Sequence, residues 1–127
     1  MSRRIKALSI AVAVLVLSTG QTMARPDMDA GKREFSRSCQ NCHSLKRGEV
    51  IEGPSLAGVF GRRAGSLAEY NYSDTMRNSK IVWTQDSLDT YLVSPMTALG
   101  SGNDMVAHGI HDDDTRADLI EFLKHAL

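Results

Sequence analysis

The stretch Cys39-Gln40-Asn41-Cys42-His43 sets two thiols and an imidazole at the spacing Cys-x-x-Cys-His. At this spacing each thiol can add to one vinyl group of a haem, and the ring of the next residue can reach the iron. The motif therefore predicts one covalently attached c-type haem. Cys39 and Cys42 are the expected attachment sites, and His43 is the expected proximal iron ligand.

A Cys-x-x-Cys pair alone is also compatible with a thioredoxin-like redox motif, half of a zinc site or a small disulfide. A thioredoxin-like site is expected within a βαβ pattern, which this sequence does not show. A zinc site needs a second pair of ligands. The chain has no further cysteine, and His108, His111 and His125 do not make such a pair.

Residues 1 to 24 are predicted to be a secretory signal peptide, which leaves residues 25 to 127 as one domain. Three basic residues lie among the first six, the apolar run from Ala7 to Leu17 is short for a membrane span, and Thr22-Met23-Ala24 fits a cleavage site. The alternative is an uncleaved membrane anchor. Haem attachment to such motifs takes place across the membrane, so the signal and the motif together predict the bacterial periplasm.

The predicted mature chain has a net charge of about −3, because the signal contains three of the 15 basic residues and none of the 15 acidic residues. Haem propionates would make the protein more acidic. Nucleic acid and anionic lipid both favour a basic face, so neither is an expected partner.

Capping residues and apolar periodicity predict an all-α chain. A first helix is expected from Asp29 to about Ser38, with Asp27 or Asp29 as its cap. A second helix is expected to begin after Thr84 and to stop before Pro95, and a last helix to begin near Asp112-Asp113-Asp114. The apolar stripe of the last helix is Leu119, Ile120, Leu123 and Leu127.

Two long segments show no sustained period. The first, from Leu45 to Tyr72, contains five glycines, and the second, from 96 to 110, contains three glycines with Met96 and Met105. Loops of this length are unusual in a compact domain unless they wrap around something. A buried haem would supply the core that so small a chain lacks.

Further pieces of sequence accompany the haem motif in a fixed order. They are Gly31 and Phe35, Gly53-Pro54-Ser55-Leu56, Gly58 to Gly65, Tyr70-Asn71-Tyr72-Ser73, Trp83, Tyr91-Leu92 with Pro95, Met105 with Gly109, and Arg116 to Leu123. With these pieces the chain resembles a class I cytochrome c of the short mitochondrial and bacterial type over nearly all of residues 29 to 127. The resemblance implies the cytochrome c fold, with three to five helices and long loops wrapped around one covalent haem.

The resemblance also implies roles for single residues. Pro54 would accept a hydrogen bond from the free ring nitrogen of His43, and Tyr91 would lie behind the haem near the methionine sulfur. Gly31 would let the first helix touch the last. A buried haem propionate must be compensated by hydrogen-bond donors. The donors implied are Arg62, Tyr72 and Trp83.

Met105 is the expected distal ligand, because a soft thioether opposite His43 favours ferrous iron and raises the reduction potential. Gly109 follows Met105 at the spacing of the family. Met96 lies in the same loop and is the main rival.

The methionine loop departs from the family pattern. Where the family usually has Pro-Gly-Thr-Lys, this chain has Ser101-Gly102-Asn103-Asp104, and Ala107 stands where the family has phenylalanine. Asn103 is expected to replace the threonine and to reach a propionate. The haem edge is expected to be more open at Ala107, with His108 a surface residue unless it folds over that edge.

The mature chain has few lysines with which to attract an acidic partner. They are Lys32, Lys46, Lys80 and Lys124. The mitochondrial type surrounds its haem edge with lysines, whereas this chain has Asp104 beside the expected ligand. Its partner is therefore expected to dock through a less acidic, or even basic, face.

The implied function is outer-sphere transfer of single electrons, without catalysis, because six-coordinate iron leaves no open site for substrate. The expected donor is a quinol-oxidising complex or a periplasmic dehydrogenase, and the expected acceptor is an oxidase or reductase. The protein is expected to be a monomer that meets membranes only through these partners. If Met105 left the iron, a peroxidase-like or gas-binding protein would result. A haem-free thiol oxidoreductase is the remaining alternative.

Overall fold

The fold is described from a computed structural model, which covers residues 24–100 and 102–127. Within these ranges the chain forms α1 (Met28–Ser38), α2 (Asp74–Asn78), α3 (Gln85–Val93) and α4 (Asp113–Lys124), with isolated β-bridges but no sheet. An all-α chain with long loops was predicted, and it is confirmed. The predicted signal peptide lies outside the described residues except for Ala24. None of the described helices is both long and apolar enough to cross a membrane.

Capping side chains set the beginnings of three helices at the predicted positions. The Asp27 carboxylate accepts two backbone N–H groups in the first turn of α1. Thr84 caps α3 in a capping box with Ser87. Asp112 caps α4 by accepting from the Thr115 N–H at 2.7 Å. These interactions are local, which is why the sequence predicts them.

The core is centred on the crossing of α1 and α4. A Cβ at Gly31 would overlap the Asp118 carbonyl and lie 2.8 Å from the Cβ of Phe122, so only glycine lets the two backbones come so close. Phe35 packs on Phe122 with ring centroids 5.6 Å apart. The expected contact between the first and last helices is therefore present.

Two details differ from the sequence interpretation. The apolar stripe of α4 is shorter than predicted, because α4 ends at Lys124 and Leu127 beyond it is 82% exposed. The short helix α2 was not predicted. It has five residues, begins after the Ser73 cap and buries Met76. So short a helix shows no apolar period in the sequence.

Candidate functional site

The chain leaves α1 in a tight turn that gathers the Cys-x-x-Cys-His motif. The backbone N–H groups of Cys42 and His43 both donate to the Cys39 carbonyl, at 3.1 and 2.9 Å. The N–H of Gly53 donates to the Cys42 carbonyl at 2.7 Å and ties the following loop to this turn. Both cysteines are free thiols and partly exposed.

The His43 ring is fixed from one side. Its Nδ1 lies 2.8 Å from the Pro54 carbonyl, so the predicted hydrogen bond is present. A carbonyl can only accept, so Nδ1 carries the proton and Nε2 is the nitrogen left for a metal. Gly53 packs against the same ring, where a Cβ would lie 2.8 Å from Nδ1. Burial lowers the pKa of His43 and favours the neutral form, which is the form that binds iron.

The two thiols lack the character of redox-active cysteines. Burial raises the pKa of Cys39 to about 11, and nearby Glu34 contributes to the rise. The pKa of Cys42 is also raised, by burial and by a hydrogen bond to Glu52, with Sγ and Oε2 3.5 Å apart. Reactive thiols in Cys-x-x-Cys redox motifs have lowered pKa values instead. The raised pKa values do not favour the thiol oxidoreductase alternative.

The loop between α3 and α4 brings a thioether against a tyrosine. The Tyr91 hydroxyl donates to Met105 Sδ at 3.4 Å. Met105 is partly buried and packs against the core, whereas Met96 is 51% exposed. Of the two candidate methionines, Met105 is the one that the fold turns inward.

Tyr91 is itself held in a buried position. Its ring packs edge-to-face on Trp83, with centroids 4.9 Å apart. Burial raises the pKa of Tyr91, although a hydrogen bond from Asn103 opposes that shift. The hydroxyl therefore keeps its proton at neutral pH and is available as a donor.

Two of the residues predicted to hold a propionate lie close together. Burial lowers the pKa of Arg62 and raises that of Tyr72, and each group is near enough to act on the other through its charge. Two guanidinium nitrogens of Arg62 donate to the carbonyls of Ala57 and Ser55, both at 2.9 Å. These bonds orient Arg62 within its loop. Donation from Arg62 or Tyr72 to a propionate stays a prediction.

Trp83, the third predicted donor, is joined to Arg62 through the backbone. The Trp83 N–H donates to the Arg62 carbonyl at 2.9 Å, and the Gly61 N–H donates to the Trp83 carbonyl at 2.7 Å. The indole is buried. Among the described residues, none accepts a hydrogen bond from its ring N–H. That N–H is not fully buried. It is therefore open to an acceptor that the protein does not supply.

Asn103 makes its hydrogen bonds to residues of the protein. Its side-chain nitrogen donates to the Tyr91 hydroxyl at 2.8 Å and to the Pro95 carbonyl at 2.5 Å. Its side-chain oxygen accepts from the Met105 N–H at 3.5 Å. Both amide hydrogens are thus used within the protein, because Asn103 closes the methionine loop on itself. Asn103 thus organises the surroundings of the thioether, and its contact with a propionate stays a prediction.

The last part of this loop lies largely at the surface, and the expected opening of the haem edge at Ala107 stays a prediction. Val106 is 83% exposed, Ala107 is half-buried and His108 lies on the surface. His108 borders a shallow surface cavity of about 250 Å³ together with Arg37 and Asp112.

The structural role of one buried residue near the motif was not predicted from the sequence. Ser55 is 1% exposed, and its hydroxyl donates to the Lys46 carbonyl at 2.7 Å and accepts from the Ala57 N–H at 3.1 Å. It fastens the loop that carries Pro54. A serine within a run of turns gives no sequence signal for this role, because its partners are backbone atoms.

The core leaves apolar side chains partly exposed, which is surface that a large apolar group could cover. Ten apolar side chains pack against the core but stay partly exposed. They are Cys39, Leu45, Leu56, Phe60, Tyr72, Ile81, Leu99, Met105, Ile110 and Phe122. Free thiols, an imidazole with Nε2 unused and a thioether accompany this surface. The donor set suits a covalently held porphyrin with iron.

Comparisons with known proteins agree with this site. Residues 28–126 match the family model described as Cytochrome c. The chain belongs to the cytochrome c family. Cytochrome c of Theileria annulata is 40% identical over 114 residues, which are 82% of this chain and 97% of that protein. Cytochrome c of Guizotia abyssinica is 38% identical over 99 residues, 77% of this chain and 88% of that one.

Solved structures give the same fold. The structure of cytochrome cH from Methylobacterium extorquens has a TM-score of 0.71 and 34% identity, over 77% of this chain and 97% of that one. Cytochromes c carry electrons on a covalently attached haem c. Because this cytochrome c has only two cysteines, Cys39 and Cys42 are its attachment sites.

Proposed function

We propose that this cytochrome c is a periplasmic one-electron carrier whose haem iron is ligated by His43 and Met105. The observation that carries the proposal is that a hydrogen bond to a second residue fixes each of these two side chains. Pro54 accepts from His43 Nδ1 at 2.8 Å, and Tyr91 donates to Met105 Sδ at 3.4 Å. Haem supplies a one-electron redox centre. Pro54 and Tyr91 would fix the two side chains that hold the iron, and an iron held by both His43 and Met105 would leave no place for substrate.

The proposal for the distal ligand is tested with a matched pair of variants. Met105→Ala is expected to remove the red absorption band that a thioether gives on ferric haem, and to let added imidazole bind rapidly. Met96→Ala, which changes an exposed side chain, is expected to keep the band. Loss of the band in Met96→Ala alone would reassign the ligand. Rapid imidazole binding by the unmodified protein would favour the peroxidase-like or gas-binding alternative.

The partner is proposed to present a basic rather than an acidic docking face. Asp104 is exposed immediately before Met105, and the loop ends at the exposed run Asp112-Asp113-Asp114. Lysines are few, and Lys124 pairs with Glu121 at 3.0 Å. Negative charge near the electron-transfer edge repels an acidic partner and attracts a basic one.

Two small oxidants of opposite charge test this proposal by stopped-flow spectroscopy. Oxidation by anionic hexacyanoferrate is expected to become faster as salt is added, and oxidation by cationic tris(phenanthroline)cobalt to become slower, because salt screens the charge of the edge. Asp104→Lys is expected to weaken both salt dependences more than Asp29→Lys does, since Asp29 lies in the first turn of α1. The opposite salt dependences would contradict the proposal.

Export is proposed from the predicted signal at residues 1 to 24 and from the covalent haem. Intact-mass spectrometry of protein from a periplasmic fraction is expected to give a chain that begins at Arg25 and carries one haem. A haem-loaded chain that retains Met1 and stays in the membrane fraction would support the anchor instead.

A further inference from the structure

We infer that Asn103 is a positioning residue that directs the proton of the Tyr91 hydroxyl onto the sulfur of Met105. The inference rests on the proposed ligation of iron by Met105. It concerns a position at which this chain departs from the family pattern, since Asn103 stands where that pattern has threonine. Three hydrogen bonds around one amide carry the argument.

The orientation of the amide is determined by Pro95. The Pro95 carbonyl can only accept, and a side-chain atom of Asn103 lies 2.5 Å from it. That atom must therefore be the amide nitrogen. The amide oxygen then faces the Met105 N–H, which can only donate. Both neighbours thus require the same orientation.

The amide in turn determines the direction of the hydroxyl. The same nitrogen lies 2.8 Å from the Tyr91 oxygen, and an amide nitrogen can donate but not accept. Tyr91 must therefore accept from Asn103. The single hydroxyl proton of Tyr91 is then left for another acceptor, which is Met105 Sδ at 3.4 Å. A threonine hydroxyl at position 103 could either donate or accept, so it would leave this direction open.

The direction of this proton has an electronic consequence. A hydrogen bond to the thioether withdraws electron density from the sulfur lone pair, which makes Met105 a weaker donor to ferric iron. Hydrogen bonding around an axial ligand is one of the means by which a protein sets the potential of a haem. Asn103 therefore favours the ferrous state through Tyr91, without touching the iron or its ligand sulfur.

A double-mutant cycle on the haem-loaded protein tests this role, with the reduction potential as the readout. Asn103→Asp keeps the shape but replaces the donor by a carboxylate, which accepts the Tyr91 proton and takes it from the sulfur. Tyr91→Phe removes the hydroxyl. The negative charge that Asn103→Asp adds, and any loosening of the loop, affect the potential in both backgrounds, whereas the directing effect requires the hydroxyl.

With Tyr91 present, Asn103→Asp is expected to lower the equilibrium constant for reduction. The decrease is expected to be about fivefold larger than in the Tyr91→Phe background, which is the factor for one hydrogen bond of ordinary strength. If that variant does not take up haem, Asn103→Leu is used instead. Its decrease in the equilibrium constant is then expected to be about twofold larger with Tyr91 than in the Tyr91→Phe background. Equal effects in both backgrounds would overturn the inference while leaving Met105 as ligand. An unchanged potential in Met105→Ala would instead overturn the proposed ligation, and this inference with it.

Discussion

The two segments that present the proposed iron ligands are held in different ways. The proximal segment, residues 43–56, is held by backbone hydrogen bonds as well as by side-chain bonds such as those of Ser55. Gly53 N–H donates to the Cys42 carbonyl at 2.7 Å, Leu56 N–H donates to the Ser44 carbonyl at 2.9 Å, and His43 forms a β-bridge with Val50. Backbone hydrogen bonds therefore contribute directly to the position of His43.

The distal loop, residues 95–110, is fastened by side chains. In the described part of the chain, no backbone-to-backbone hydrogen bond involves residues 102–109. Asn103 bridges from this stretch to Tyr91 and Pro95 instead. Backbone hydrogen bonds hold the two ends of the loop. At the first end the N–H groups of Thr97 and Ala98 donate to the Ser94 carbonyl, and at the base Ile110 N–H donates to the Leu92 carbonyl at 2.9 Å.

This difference separates stability from redox chemistry. Substitutions in the proximal segment that leave the His43 ring and its contacts with Gly53 and Pro54 intact are expected to change the free energy of unfolding and to leave the potential nearly unchanged. Substitutions in the middle of the distal loop are expected to change the potential more than the stability. The base of the distal loop is the exception, because it is packed against a helix.

The largest effect is expected at that base. A Cβ at Gly109 would overlap the carbonyl of Val93, the last residue of α3, and a helix carbonyl cannot move away easily. Gly109→Ala is expected to lower the free energy of unfolding by about 3 kcal/mol in denaturant titrations. The matched control is Gly48→Ala. Gly48 has φ 73° but open space around it, so a loss of about 1 kcal/mol is expected. Equal losses would contradict the packing argument.

A smaller effect is expected in the proximal segment at Gly53. An added Cβ would meet the His43 ring, which cannot turn aside without losing its bond to Pro54. Gly53→Ala is expected to cost about 2 kcal/mol of unfolding free energy. Chemical denaturation measures this cost. A cost below that of Gly48→Ala would mean that the ring is less firmly fixed than described.

Ser55→Ala sharpens the contrast between the two segments. The substitution leaves the Lys46 carbonyl and the Ala57 N–H without their partner, at a cost of about 1 kcal/mol. Because neither group touches a proposed iron ligand, the reduction potential is expected to stay unchanged. Potentiometry and denaturation on the same sample measure both quantities. A shift in reduction potential as large as that of Asn103→Asp would contradict the proposed separation between stability and reduction potential.

The smallest effect is expected at Asp112, which caps α4 just after the distal loop. Hydrogen bonds from the Thr115 side chain and N–H hold the pKa of Asp112 below its ordinary value. The carboxylate therefore stabilises the fold above the unfolded-state pKa, and this contribution is lost as the pH falls through the lower folded-state pKa. Asp112→Ala is expected to lower the melting temperature slightly at pH 7 and to match the unmodified protein in strong acid.

Asp114→Ala controls for loss of one acidic charge in the same turn, since no side-chain hydrogen bond is recorded for Asp114 among the described residues. The capping argument would be contradicted if the difference in melting temperature between Asp112→Ala and the unmodified protein stayed constant as the pH fell through the acid range.

Local interactions made much of the fold predictable from sequence. Caps such as Thr84 and Asp112 act within one turn of the residues that they stabilise, and the haem motif spans five residues. The hydrogen bond between Pro54 and His43 came from the family resemblance, because nothing in the spacing of these residues requires it.

The role of Asn103 was not predictable in the same way. Its partners Tyr91 and Pro95 are 12 and 8 residues away, and the direction of its amide depends on how the loop folds back on α3. From the sequence, the Asn103 amide was expected to replace the threonine hydroxyl of the family and to reach a propionate. An amide nitrogen has two protons to donate, and in this fold both are donated within the protein.

The central claim is that Met105 is the thioether on the iron, and a proton NMR spectrum of the reduced, haem-loaded protein tests it most directly. A methionine methyl group bound to haem iron is shifted far upfield by the ring current. The account predicts one such signal, which disappears in Met105→Ala and persists in Met96→Ala. Absence of the signal from the unmodified protein, or its persistence in Met105→Ala, would contradict the account.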